Sequence, residues 1–185
     1  MPNFFKSVLE SFKNPEQSWI SFVIEMVILI SIVLFIRFYV FQFFQVSGPS
    51  MCPTLNQFDQ DCKNGKAEFV FVNQATYKFL RPPEVGEIVV FRPPTDTKDY
   101  YIKRVIGIPG DTIKVYDGKV YRVNEEDQDV AIDEPYLSAR NQGRTQTSQE
   151  IFTVPDGKYV LFGDNRDRSL DSRRCYGATL SLIHI

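Results

Sequence analysis

The stretch WISFVIEMVILISIVLFIRFYVFQFFQV, Trp19 to Val46, decides how the rest of the chain is read. It is apolar apart from Glu25, Arg37 and a few amides and hydroxyls. A membrane-spanning helix needs ~20 apolar residues, and Ile20 to Val40 supplies them. Glu25 and Arg37 stand toward the ends of that window, where long side chains reach the headgroup layer. Trp19 and Tyr39 suit the interfacial belts. A buried helix of a soluble protein would leave Glu25 and Arg37 in need of partners. A cleaved export signal has an apolar core of about 7–15 residues ending at small residues. This run is longer and leaves through Phe41, Phe43 and Phe44. The reading is an uncleaved anchor over 19–43, behind an N-terminal segment over 1–18. Lys6 and Lys13 precede the span, and beyond Arg37 the next basic residue is Lys63. The positive-inside rule then places the N-terminus of this single pass in the cytoplasm and the remainder outside.

After Val46 the texture changes to short apolar alternations broken by Gly, Pro and Asp. EFVFVN (68–73), EIVVFR (87–92), YYIKRVIGI (100–108), TIKVY (112–116), KVYRV (119–123) and KYVLFG (158–163) read as strands. YDGKVY is a hairpin whose Asp-Gly pair supplies positive φ angles. RPPEVGE and RPPTD are proline-stiffened loops. No helical periodicity of useful length follows the anchor, so the fold class is mainly β: one transmembrane helix, then an all-β domain over 44–179. Residues 124–149 are polar, with only DEPYL offering apolar anchors, and read as a surface excursion that the core does not need.

Composition excludes several functions. The net charge of -2, with acids and bases interspersed, gives no nucleic-acid surface. Cys52, Cys62 and Cys175 lack the paired spacing of a zinc site, and no cofactor or metal is expected. Outside the membrane disulfides can form, and Cys52 and Cys62 could pair across a short loop, leaving one cysteine over.

Directly after the anchor comes VSGPSMCPTL, Val46 to Leu55, with Ser50 between two prolines. A serine in such a turn is usually only a turn residue. Activating its hydroxyl requires a base within hydrogen-bond reach. The single histidine, His184, stands one residue from the end. The remaining choice is a lysine, which can serve only if burial brings its pKa down toward working pH. Lys103, in YYIKRVIGIPGD, lies on an apolar strand, sharing a face with Tyr101 and Val105 and opposite Ile102 and Arg104. GDNRDRSLDSR, Gly163 to Arg173, taken alone is a solvated, charged loop. Its Asp spacing suggests calcium, but the glycine and terminal glutamate of such a site are missing.

In that order, behind one anchor, SGPSMCPTL, YIKRVIGIPGD and GDNRDRSLDSR resemble the three blocks of the type I signal peptidases, membrane-anchored Ser-Lys endopeptidases of bacteria. GEIVVFRPP, DGKVY, DEPYL and VPDGKYVLFGDNR are also similar, so the resemblance covers roughly Ile20 to Arg173. It implies the signal-peptidase/repressor-like β-fold, with Ser50 as nucleophile, Lys103 as general base and Ser169 orienting the lysine amine. Asp171 and Arg173 would form a supporting ion pair, Asp164 and Arg166 would brace the same loop, and Arg104 would belong to the scaffold. The Ser50 N–H would be one oxyanion donor. Gly48 stands where some members carry a hydroxyl, so a second donor would be backbone or water. Val46, Met51, Leu55, Tyr101 and Ile102 would line shallow pockets for small residues, the A-x-A-like site of a secretory signal peptide. The implied partners are preprotein signal peptides, the secretion translocon nearby and the lipid bilayer, on which Met51 and the phenylalanines before it would rest.

The ending RRCYGATLSLIHI departs from the family, which continues with a glycine and further strand residues. Because LSLIHI reads like a sequencing adaptor, 180–185 is expected to be a non-native tail of a truncated chain that lacks a terminal core strand. Two other readings compete. A self-cleaving Ser-Lys regulator would carry a DNA-binding domain and an internal cleavage site in place of an anchor. A non-catalytic anchored β module would make Ser50 and Lys103 incidental.

Overall fold

A computed structural model describes residues 15–56, 68–93, 98–176 and 180–181. The chain divides into two compact units, Met1–Gln42 and Phe43–Ile185. In the first, helix α1 (Pro15–Phe35) passes into a π-helical turn over Ile36–Val40. Trp19–Val40 is long and apolar enough to cross a membrane. Its large apolar side chains, from Ile20 to Tyr39, point outward all round rather than into a protein core. Ser31 Oγ donates back to Val27 O at 2.7 Å, which satisfies the hydroxyl without water. The helical conformation stops earlier than hydropathy suggests, because FQFFQV forms strand β1 (Phe41–Val46). Phenylalanine and an alternation with glutamine favour extended backbone there, whatever the run's overall apolarity.

β1 pairs with β2 (Glu68–Asn73) as a two-stranded ribbon. Phe43 and Phe71 pack on it at 5.0 Å between ring centres. Two four-stranded antiparallel sheets follow. One runs in the order β10 (Leu180–Ser181), β9 (Lys158–Phe162), β4 (Tyr101–Gly107), β3 (Ile88–Phe91). The other runs β7 (Asp129–Ala131), β6 (Lys119–Val123), β5 (Thr112–Tyr116), β8 (Ile151–Thr153). The domain is thus mainly β, as its alternating pattern predicts.

Period-two alternation on β4 and β9 divides the interior. Val105, Tyr159 and Leu161 join Val89 and Phe91 in one cluster, while Ile106, Val160 and Phe162 join Ile113, Val115, Val120, Phe152 and Val154 in another. β4 is therefore buried on both faces. A register shift between Val105 and Gly107 bends it, and a Cβ on Gly107 would stand 2.7 Å from Ile113 Cγ1, so only glycine allows this approach.

Leu180–Ser181, assigned in sequence to a non-native tail, pairs with β9 in the register Leu180↔Tyr159 and Ser181↔Lys158. The 124–149 excursion is more than a surface loop. β7 extends the second sheet, and Leu137, Asn141 and Thr145 are buried. Glu134 and Thr145 meet the buried Arg166, a role that composition alone does not show. Cys52 is disulfide-bonded and fully buried. Cys62, its suggested partner, lies outside the described residues.

Candidate active site

Three segments meet at one end of the domain: the turn around Ser50, the start of β4, and the loop after β9. Lys103 Nζ stands 2.9 Å from Ser50 Oγ and donates to Ile102 O at 2.8 Å. The residue is 3% exposed. Tyr101 shares its face, with the amine 5.6 Å from the ring centre. Burial pushes the amine down from 10.5 to about 8. The charges of Asp171 and Asp164 pull it back up, and Arg173 opposes them. A neutral amine has two N–H groups and one lone pair. With one N–H on Ile102 O, the lone pair can face the Ser50 hydroxyl and accept its proton.

The loop after β9 is a network of buried ion pairs. Arg104, next to Lys103 but on the opposite face, grips Asp164 with both Nε (2.9 Å) and Nη2 (2.6 Å), and donates to Gly86 O through Nη1. Burial works against its charge, but the Asp164 carboxylate outweighs that and raises its pKa. Thr54 Oγ1 donates to the same carboxylate. Asp164 thereby ties the serine turn to the lysine strand. Arg173 clasps Asp171 through Nε (3.0 Å) and Nη2 (2.7 Å), with both side chains fully buried. Burial raises the Asp171 carboxyl, yet the Arg173 guanidinium and the Gly163 N–H hold it below its usual value.

One expected contact, that of Ser169, is corrected by this geometry, and Asp164 and Arg166 brace the loop through separate partners. Arg166 turns away from Asp164. A 3-10 turn over Arg166–Arg168 swings its side chain toward the excursion, where it binds Glu134 and Thr145 Oγ1. Ser169 does not hold the lysine. Its fully buried hydroxyl lies close enough to Asp171 to help keep that carboxyl ionised, but nothing stands at hydrogen-bonding geometry to it. The Lys103 amine is turned to Ser50 and Ile102 instead.

A cleft of about 600 Å³ opens at Ser50 and Lys103. Val46, Tyr101 and Ile102 line it, as expected, together with Gly48. Phe44, Val70, Val90, Tyr100 and Leu170 add apolar surface to its wall, and Gln45, Ser47, Asp99 and Arg168 add polar surface. Met51 and Leu55 do not line it. The turn that bonds Leu55 N–H to Met51 O carries Met51 inward to 1% exposure, which also removes it from any lipid-facing surface. Gly48 adopts φ +89°, where a residue with a Cβ is strained, so a hydroxyl at this position would need a different backbone.

Sequence reasoning missed two asparagines. Asn56 Nδ2 donates to Gly48 O at 2.8 Å. Asn165 donates to Ser50 O from its backbone and to Pro49 O from its side chain, both at 3.0 Å. Gly163 is a third missed residue, at a close approach of the loop to the serine turn. A Cβ there would lie 2.2 Å from Ser169 Oγ and 2.5 Å from Ser50 O.

A membrane-compatible helix, a β-domain and a hydroxyl against a buried amine together describe an anchored serine hydrolase. A family model described as signal peptidase, peptidase S26, matches residues 19–181, and the chain belongs to that family of serine peptidases. It is similar to signal peptidase I S of Bacillus subtilis, 35% identical over 158 residues that cover 82% of this chain and 76% of the relative. Signal peptidase I of Bacillus licheniformis is 33% identical over 175 residues, covering 91% and 85% respectively. A crystal structure of a signal peptidase I from Enterococcus faecalis aligns with 57% of this chain and 97% of its own, at 30% identity and a TM-score of 0.43.

Proposed function

We propose that this protein removes signal peptides from exported preproteins at the outer face of the cytoplasmic membrane, using Ser50 and Lys103. The observation that carries the reading is the 2.9 Å contact between a surface-reachable hydroxyl and an almost fully buried amine. With its pKa near 8, about one amine in ten is neutral at pH 7. The neutral amine takes the Ser50 proton as Oγ bonds to the scissile carbonyl carbon, and the carbonyl electrons move onto oxygen. The Ser50 N–H supports that oxyanion. On collapse the C–N bond breaks and the lysine ammonium protonates the leaving amine. Water, giving its proton to the same lysine, then bonds to the acyl carbon; the C–Oγ bond breaks, Ser50 Oγ takes the proton back from the ammonium, and the signal peptide leaves as its carboxylate.

The signal peptide's C-terminal end lies extended in the cleft beside Tyr101–Lys103, where β4 runs past the end of β9 and leaves its edge open for main-chain pairing. The apolar wall accepts small side chains near the cut. Arg104, Asp164, Asp171 and Arg173 fix the framework around the two reacting groups. Phe43, Phe69 and Phe71, each more than half exposed on the β1–β2 ribbon, rest on lipid near the translocon exit. Purified full-length protein in detergent, given a preprotein, should cleave it once. Ser50→Ala and Lys103→Ala should each abolish cleavage, and full activity in either would end the dyad assignment.

A further inference from the structure

The loop after β9 contains an asparagine that holds the serine turn by two hydrogen bonds of different kinds. Asn165 is 3% exposed. Its backbone N–H donates to Ser50 O, and its side-chain Nδ2 donates to Pro49 O, each at 3.0 Å. A carbonyl only accepts, so the end of the amide facing Pro49 must be the donating nitrogen. Pro49 O also receives the Cys52 N–H at 3.1 Å, which fills its second lone pair.

The Pro49 carbonyl shares a rigid, planar peptide unit with the Ser50 N–H. The one cis bond among the described residues is Cys52–Pro53, so this unit is trans. In a trans peptide the C=O and N–H point in opposite directions. Whatever fixes the Pro49 carbonyl therefore fixes the direction of the Ser50 N–H. Among the described residues that N–H donates to no acceptor, while its own peptide is held on the other side. Ser50 itself lines the open cleft. A held, unspent donor on a residue that lines a cleft is what an oxyanion site requires before substrate arrives.

We infer that Asn165 is a positioning residue for the reaction: its side-chain amide, acting through the Pro49–Ser50 peptide, aims the Ser50 N–H at the place where the oxyanion forms. The inference rests on the reading of Ser50 as nucleophile. Asn165 touches neither substrate nor the reacting hydroxyl. Its effect belongs to the transition state, because the bond from Ser50 N–H strengthens only as charge develops on the carbonyl oxygen.

The test uses the full-length protein in detergent with Asn165→Ala and Asn165→Asp, the second keeping the shape but losing the donor. Kinetics on a signal-peptide substrate are compared with binding of a peptide aldehyde. The aldehyde bonds to Ser50 Oγ through its carbonyl carbon and leaves its oxygen in the oxyanion position. The expected result is a fall in kcat of about tenfold to a hundredfold, less than complete removal of an oxyanion donor because the Cys52 N–H still restrains Pro49 O. KM should change little, aldehyde affinity should fall in step with kcat/KM, and the pH limb assigned to Lys103 should stay where it is. Activities are expressed per folded molecule, with the folded fraction taken from urea unfolding. Asn165→Ser, with a shorter donor, replaces the alanine variant if that one does not fold, and should fall between wild type and Asn165→Asp. Wild-type kcat and aldehyde affinity in the variants would overturn the inference, as would a loss confined to KM or to folded fraction. Failure of the nucleophile assignment looks different: wild type would form no aldehyde adduct and Ser50→Ala would still cleave.

Discussion

Replacing Lys103 by methionine should make the fold more stable while destroying activity. Lys103 is 3% exposed and its pKa falls from 10.5 to about 8, chiefly through desolvation. At ~1.36 kcal/mol per pKa unit, that drop corresponds to about 3 kcal/mol by which the fold disfavours the charged amine. Methionine has similar length and no charge to desolvate. It forfeits the bonds to Ser50 Oγ and Ile102 O, at about 1 kcal/mol each, so the net gain near pH 7 should be about 1 kcal/mol.

The sign of the pH dependence follows from linkage. The folded pKa lies below the unfolded one, so between about 8 and 10.5 the unfolded chain holds a proton that the folded chain has released. Wild-type stability from this group therefore rises with pH across that window and is flat below it. Lys103→Met lacks the rise. The variant's advantage at pH 7 should shrink and reverse by pH 10.5, a relative change of about 3 kcal/mol. Urea unfolding of both full-length proteins in the same detergent, followed by far-UV circular dichroism from pH 7 to 10.5, reads the difference directly. Other titrating groups are common to both and cancel. A difference that stays constant across the range would refute the claim that folding strips water from this amine.

Three further outcomes follow from the same geometry. Wild-type kcat/KM should climb with pH along a limb near 8, because below it the amine carries the proton it must accept; a limb near 6.5 would point to histidine instead. Gly163→Ala should cut turnover by roughly a hundredfold or more, since its Cβ would displace both Ser50 O (2.5 Å) and Ser169 Oγ (2.2 Å); a peptide cleavage assay with unaltered kcat would contradict the close approach. Glu134→Ala strands the fully buried Arg166 without its carboxylate and should cost about 3 kcal/mol in urea unfolding, although the residue lies in a segment that composition makes look expendable.

What the sequence made legible were features carried by local pattern. The anchor follows from an apolar run, and six strands follow from alternation. Strands β7 and β8 did not show, because three residues cannot display a period and each is held by partners across the sheet. The closing loop was legible as a set of charges, with the Asp171–Arg173 pair implied by resemblance, but the partners of Asp164 and Arg166 were not legible. Asp164 and Arg166 are near neighbours in sequence, yet one turns to Arg104, 60 residues away, and the other to Glu134, 32 residues away. The asparagine hooks were invisible for the same reason. Asn165 meets Pro49 across 116 residues, and a bond to a backbone carbonyl leaves no side-chain signature at the accepting end.

The adjacent cations Lys103 and Arg104 show how one strand separates two electrostatic fates. Alternation sends them to opposite faces of β4, and both are buried. Arg104 meets a carboxylate in bidentate geometry and stays firmly charged, with the Tyr136 ring 3.8 Å beneath its guanidinium. Lys103 meets a hydroxyl and a carbonyl, neither of which compensates a charge, so its proton is held loosely. Exchanging the two residues would reverse neither fate cleanly, because a guanidinium cannot give up its proton in this pH range and an ammonium cannot make the two-pronged clasp on Asp164. The carboxylate that keeps Arg104 charged also receives Thr54 from the serine turn. The ion pair on one face of the strand thus anchors the turn that presents Ser50 to the uncompensated amine on the other. A site of this kind needs its charges satisfied everywhere except at the one group that must change protonation.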